Sequence, residues 1–163
     1  MTDQPEPTRQ EALRQLLLLS GRPLPRVIFV GPDLAHDCRL LDACGGAATG
    51  VAADEDSLEH ARLEYPEGTF VCGPIHDPPL EDFSHDVAWA GIAFADVPTQ
   101  QLADALRGLH RALRPGGLLA ITRPQQSVWT RPELGAALDK LDFTFTRELP
   151  DAAGPILVFR REY

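Results

Sequence analysis

The chain has 163 residues, the length of one ordinary globular domain. Apolar residues make up 44% and charged residues 24%, which excludes intrinsic disorder, collagen-like repeats and coiled coils for the bulk of it. Fifteen basic against 24 acidic residues leave a formal charge of −9, a field that repels phosphate backbones and anionic lipid and leaves open a small neutral or cationic ligand or a basic protein partner.

Residues 1–8 are polar, acidic and proline-bearing. They are expected to be disordered and carry no export-signal pattern. Arg9 to Leu19 places Ala12, Leu13, Leu16, Leu17 and Leu19 on a helical stripe that packs on a sheet or forms a dimer contact. The aliphatic run Leu16–Leu19 is far short of the ~20 residues of a membrane-spanning helix. Ser20-Gly21 and the prolines at 23 and 25 stop the helix. Arg26 to Val30 reads as a buried strand ending at Gly31, and Asp33 is placed to cap a helix from Leu34 to Ala43. Ala47 to Ala53 is a second strand. The acidic stretch Asp54-Glu55-Asp56 suits a helix N-terminus, with Asp56 or Ser57 as cap and the helix running to Glu64. Thr69 to Cys72 and Asp86 to Ala90 are a third and fourth strand, joined by a proline-rich loop. Thr99 opens a helix with Leu102, Leu106, Leu109 and Leu113 on one side. Pro115-Gly116-Gly117 ends it, and Leu118 to Thr122 is a fifth strand. A helix at 132–140 and two β-rich segments, Phe143 to Arg147 and Ile156 to Arg160, complete the chain.

Strands alternating with helices predict right-handed crossovers and a mainly parallel sheet between helical layers. The last two strands follow one another without a helix and are expected as an antiparallel pair at one edge. Ligands of such sheets bind at the carboxyl ends of the strands, so loops 31–36, 52–56, 73–77 and 90–96 are expected to face one pocket.

The three cysteines, Cys38, Cys44 and Cys72, are odd in number, lack metal-type spacing and read as buried thiols of a reducing cytoplasm, with Cys38 in the core. His36, Asp37, Asp54, His76 and Asp77 border the expected crevice, yet no two histidines have a ligand spacing, so no metal is predicted. No serine, threonine or cysteine occupies a nucleophile elbow. Trp89, inside a strand, reads as a core filler. Trp129 falls in a loop near the pocket mouth, where it reads as surface or as a contact to substrate or partner.

Three strings now resemble the small-molecule group of class I S-adenosylmethionine-dependent methyltransferases. Ala105 to Ile121 (ALRGLHRALRPGGLLAI) is similar to that family's helix, Pro-Gly-Gly turn and following strand. Gly50 to Arg62 (GVAADEDSLEHAR) and Phe70 to Val87 (FVCGPIHDPPLEDFSHDV) resemble its second-strand and third-strand regions in correct order. The resemblance spans Val27 to Phe159. It implies a Rossmann-like three-layer α/β sandwich, mainly parallel with an antiparallel C-terminal edge pair, as a single domain over 9–163. It also implies methyl transfer from S-adenosylmethionine to a small molecule, with pocket positions Gly31, Asp33, Ala52, Asp54, Pro74, Ile75, Asp77 and Gly91. Such chemistry rests on proximity and the sulfonium cofactor and requires no dedicated base, so no catalytic residue is nominated.

Departures from the family pattern cluster at the nucleoside. The first loop, Phe29 to Ala35 (FVGPDLA), keeps only Gly31: Phe29 replaces an acid, while Asp33 and Ala35 replace two further glycines. Ala52 stands where the family grips both ribose hydroxyls, and Pro74 where it holds the adenine amino group. Losing the ribose grip alone costs on the order of 3–6 kcal/mol, about a hundred- to ten-thousand-fold in affinity. Two readings follow. One is a methyltransferase-like protein that does not carry out the reaction, acting through a small molecule or a protein partner. The other is a divergent but active enzyme in which Asp54 and Asp77 stand in for the lost acids. The sequence does not fix the oligomeric state.

Overall fold

The computed structural model describes residues 9–31, 33–91, 93–123, 127–151 and 154–162. The expected disorder of 1–8 lies outside them. In chain order the elements are α1 (Arg9–Leu19), β1 (Arg26–Val30), α2 (Leu34–Ala43), β2 (Ala47–Ala52), α3 (Glu55–Glu64), β3 (Thr69–Cys72) and β4 (His85–Gly91). A short 3₁₀ turn (Thr99–Gln101) leads into α4 (Leu102–Ala112), followed by β5 (Leu113–Thr122), α5 (Arg131–Asp139), β6 (Phe143–Leu149) and β7 (Ile156–Arg161). The seven strands form one sheet in the order β3-β2-β1-β4-β5-β7-β6. The first five are parallel, while β7 runs antiparallel to both β5 and β6. The C-terminal hairpin therefore continues the sheet through β7 and leaves only β6 at the edge.

Side chains alternate across the strands, and each face buries its own cluster. Val27 and Phe29 of β1 pack with Leu13 and Leu16 of α1, Cys38 and Leu41 of α2 and Leu58 of α3. Ile28 and Val30 pack on the other face with Leu106 and Leu109 of α4 and Leu134 and Leu138 of α5. This is the α/β sandwich expected from the alternation of strands and helices. Helix α1 belongs to the first layer, with Leu13, Leu16 and Leu17 buried and Leu18 turned outward.

Three local details differ from expectation. Helix α4 passes straight into β5 at Leu113, and Pro115-Gly116-Gly117 lies inside the strand as an irregularity. Gly116 takes φ +82°, a conformation open to glycine, and the register with β4 shifts between His85 and Val87. Helix α5 begins one residue early because Thr130 and Glu133 form a reciprocal capping box. Trp129 is not a surface residue: it is 1% exposed and its indole N–H donates to the Phe94 carbonyl at 2.9 Å.

Candidate functional site

The strand order reverses between β1 and β4, and there the carboxyl ends of β1 and β2 open into a cleft of about 410 Å³. All four expected loops contribute: Gly31 and Asp33 to His36 from the first, Ala52 and Ala53 from the second, Ile75 from the third and Ala93 from the fourth. Helix α3 adds a wall of Ser57, His60, Ala61 and Glu64. The pattern missed this wall, although spacings of three and four residues place these side chains on one helical face.

The first loop keeps its glycine for a reason inside the protein. A Cβ on Gly31 would lie 2.8 Å from Cζ of Phe29, whose ring is 1% exposed. Phe29 does not line the cleft, so it does not plug it, while Leu34 forms part of the wall. Asp33 occupies the N-cap position of α2, but its carboxylate makes no capping bond; only its backbone carbonyl accepts, from the Asp37 amide at 2.9 Å. The Asp33 side chain is exposed beside the cleft instead.

At the tip of β2 the cleft meets the methyl group of Ala52. Asp54, the expected substitute acid, is not part of the lining. It caps α3 in place of the expected Asp56 or Ser57, and its carboxylate accepts from the Ser57 amide at 2.7 Å. That hydrogen bond holds the Asp54 carboxyl below its ordinary value. Asp77, the other substitute, also lies outside the lining and pairs with Arg111 at 3.3 Å. Arg111 further donates to the Leu80 and Pro78 carbonyls and to Asp82, which fastens the loop after β3 to α4. Gly108 lets that loop approach, since a Cβ there would sit 2.8 Å from the Asp77 Cα. Pro74 is exposed and is not among the described lining residues, whereas its neighbour Ile75 lines the cleft and also borders a second cavity of about 460 Å³ that includes His76 and Phe94. Gly91 ends β4.

The other titratable groups disperse. Asp37 points away from the cleft, 3% exposed, and accepts from Arg9 at 3.1 Å; burial raises its carboxyl above the ordinary range. Arg9 also lies 3.8 Å from Asp151 in the β6–β7 loop. Among the described residues, no three histidines, cysteines or carboxylates gather as a metal site. Cys38 is fully buried, and desolvation pushes its thiol well up.

Among the described lining residues the carboxylates are Asp33 and Glu64; none comes from the β2 tip or from the loop after β3, where Asp54 and Asp77 are engaged elsewhere.

A family model described as a methyltransferase domain matches residues 30–121, more than half of the chain. The chain therefore belongs to the class I S-adenosylmethionine-dependent methyltransferase family. It is 27% identical over 157 residues to an uncharacterized methyltransferase of Synechocystis sp., covering 75% of this chain and 74% of that protein. It is 29% identical over 134 residues to a malonyl-[acyl-carrier protein] O-methyltransferase of Pseudescherichia vulneris, covering 82% of this chain but only 52% of that protein. Among solved structures, it superposes with a TM-score of 0.68 on a 1,6-didemethyltoxoflavin-N1-methyltransferase of Burkholderia thailandensis holding its substrate and S-adenosylhomocysteine. That match has 21% identity and covers 95% of this chain and 80% of that one. No helix among the described residues is long and apolar enough to cross a membrane.

Proposed function

We propose that this chain is a methyltransferase-fold binding protein whose nucleoside site has degenerated, so that methyl transfer from S-adenosylmethionine is lost. The carrying observation is the methyl group of Ala52 at the β2 tip, with Asp54 turned into the α3 cap. The cleft would then serve a different small molecule, or the fold a protein partner, in the cytoplasm. Free thiols at the partly exposed Cys44 and Cys72 support a reducing compartment. Calorimetric titration with S-adenosylmethionine and S-adenosylhomocysteine tests the reading. No heat up to millimolar ligand is expected, and micromolar binding of both overturns it.

One observation favours the second reading, a divergent working methyltransferase: the cleft is open rather than filled by Phe29. An acid in such an enzyme would have to be Asp33 or Glu64, because Asp54 and Asp77 are engaged elsewhere. That reading requires micromolar affinity for both nucleosides, so the same titration separates the two.

A further inference from the structure

At the end of the sheet opposite the cleft, three arginines gather where the amino ends of β1, β4 and β5 lie side by side. Asp86 of β4 stands at their centre, its side chain 8% exposed. One of its oxygens lies 3.6 Å from Nε of Arg22 and 3.4 Å from Nη1 of Arg114, and the other accepts from the Arg26 backbone amide at 2.9 Å. The Arg26 side chain is exposed and makes no ion pair among the described residues. Its charge and that of Arg114 both act on His85, the neighbour of Asp86. One carboxylate thus offsets only part of three guanidinium charges, in a chain whose net charge is −9.

Two large apolar side chains stand in the open beside these arginines. Leu24, between Arg22 and Arg26 in the chain, is 63% exposed, and Phe83 is 52% exposed. Phe83 is held there against its own backbone preference: it takes φ +55°, a left-handed conformation costly for a bulky residue. Its amide donates to the Arg111 carbonyl at 3.0 Å, its carbonyl accepts from Nε of Arg114 at 3.3 Å, and the Arg161 guanidinium lies 4.8 Å from its ring centroid. The acid next to it, Asp82, is paired with Arg111 at 2.7 Å. An exposed aromatic fixed over a strained backbone and hydrogen-bonded to a cluster of under-neutralised arginines has the make-up of a protein-docking anchor.

The chemistry narrows the occupant. Guanidiniums invite carboxylates, and Leu24 and Phe83 invite an apolar side chain. A nucleic acid or an anionic bilayer carries far more negative charge than this patch can neutralise, and the rest of the chain repels it. A second copy meeting it patch to patch would set arginine against arginine.

We propose that the amino end of the sheet docks a short acidic segment of another protein, its carboxylates on Arg22, Arg26 and Arg114 and an apolar side chain against Phe83 and Leu24. Against the sign of the whole chain, which leaves room for a basic partner, this end selects an acidic one. The surface lies across the sheet from the cleft and is independent of what the cleft binds.

Amide NMR titration with the capped peptide Glu-Asp-Leu-Glu-Phe-Asp-Glu tests it, beside the same peptide with every acid replaced by its amide. The acidic peptide is expected to shift the amides of Arg22, Arg26, Phe83 and Arg114 and to leave those of Gly31 and Ala53 in place. It should bind roughly five- to tenfold more tightly than the amide peptide, an advantage that shrinks with added salt. Arg26→Gln combined with Phe83→Gly removes most of that binding. Arg26 holds no ion pair and glycine accepts φ +55° without strain, so the double variant keeps its fold and a urea midpoint close to the wild-type value. A midpoint that falls while peptide binding stays intact makes Phe83 purely structural and overturns the proposal. Equal affinity for the two peptides, shifts confined to other faces, or no binding of either at millimolar concentration overturns it too. A short single-stranded oligonucleotide that outcompetes the acidic peptide, or self-association of the chain that Arg26→Gln abolishes, assigns the patch to nucleic acid or to a second copy and likewise overturns it.

Discussion

Gly31 shows how one family residue can be retained for a local reason. Its hydrogen side chain makes room for the Phe29 ring, which occupies the position of the family's acid and belongs to the core beneath the loop. Gly31→Ala should lower unfolding stability by about 1–3 kcal/mol through overpacking, measurable by urea denaturation. Phe29→Leu in the same chain should recover part of that loss. Ala52 carries the opposite message, because it lines the cleft where an acid is missing. Ala52→Asp combined with Pro74→Asp should raise S-adenosylmethionine affinity by roughly a hundredfold or more in calorimetry. A folded double variant with no gain would mean that these two loops do not correspond to the family's nucleoside loops. At this scale the sequence was only half legible. That Ala52 and Pro74 stand where the family places acids is what the resemblance implies. What Asp54 and Asp77 do instead could not be read, since a carboxylate two or three residues from a site can turn to a helix amide or to a distant arginine, and Arg111 lies 34 residues from Asp77 in the chain.

Between residue and fold, the elements decide which polar groups reach the ligand. Asp54, Glu55 and Asp56 form a helix start, and the capping bond goes to the first of them because that residue has extended backbone geometry (φ −146°, ψ 167°). Asp54→Ala should fray the first turn of α3 and lower Tm by a few degrees while leaving cleft ligands bound as before. A matching loss of cleft binding in that variant would restore Asp54 as a site residue. Element positions were well marked in the sequence, because β-branched runs and helical stripes are local signals. Thr69–Cys72 and Ile156–Arg161 lie close to where those runs placed them. The α4–β5 junction was less legible, since Pro-Gly-Gly usually breaks a chain and here only bends a strand already begun at Leu113.

Across the whole molecule, the two faces of the sheet and its amino end set stability. His85 begins β4, is 2% exposed, and has Nδ1 2.7 Å from the Ser84 hydroxyl. Burial first, then the nearby Arg26 and Arg114, push its pKa down to about 4, against the opposing pull of Asp86. The unfolded chain takes up that proton near 6.5, so the folded state has its full relative stability above that pH and loses it as pH falls toward about 4. The loss should reach no more than about 3 kcal/mol. Urea midpoints at about pH 7 and about pH 5 should diverge less in His85→Gln than in the wild type; an identical pH dependence would exclude His85 as its source. The global layout was legible from the alternation of elements. The strand order, by contrast, depends on contacts between residues far apart in sequence, and it is this order that places the cleft at β1.

The Arg9 guanidinium reaches both Asp37 on α2 and Asp151 beyond β6, two carboxylates whose side chains are only 4% and 2% exposed. The leading helix and the closing hairpin are thereby latched to each other across the molecule. A protease nick between α1 and β1, followed by release of the helix, would take away the cation that the two acids share, and damage at one end of the polypeptide would loosen the other.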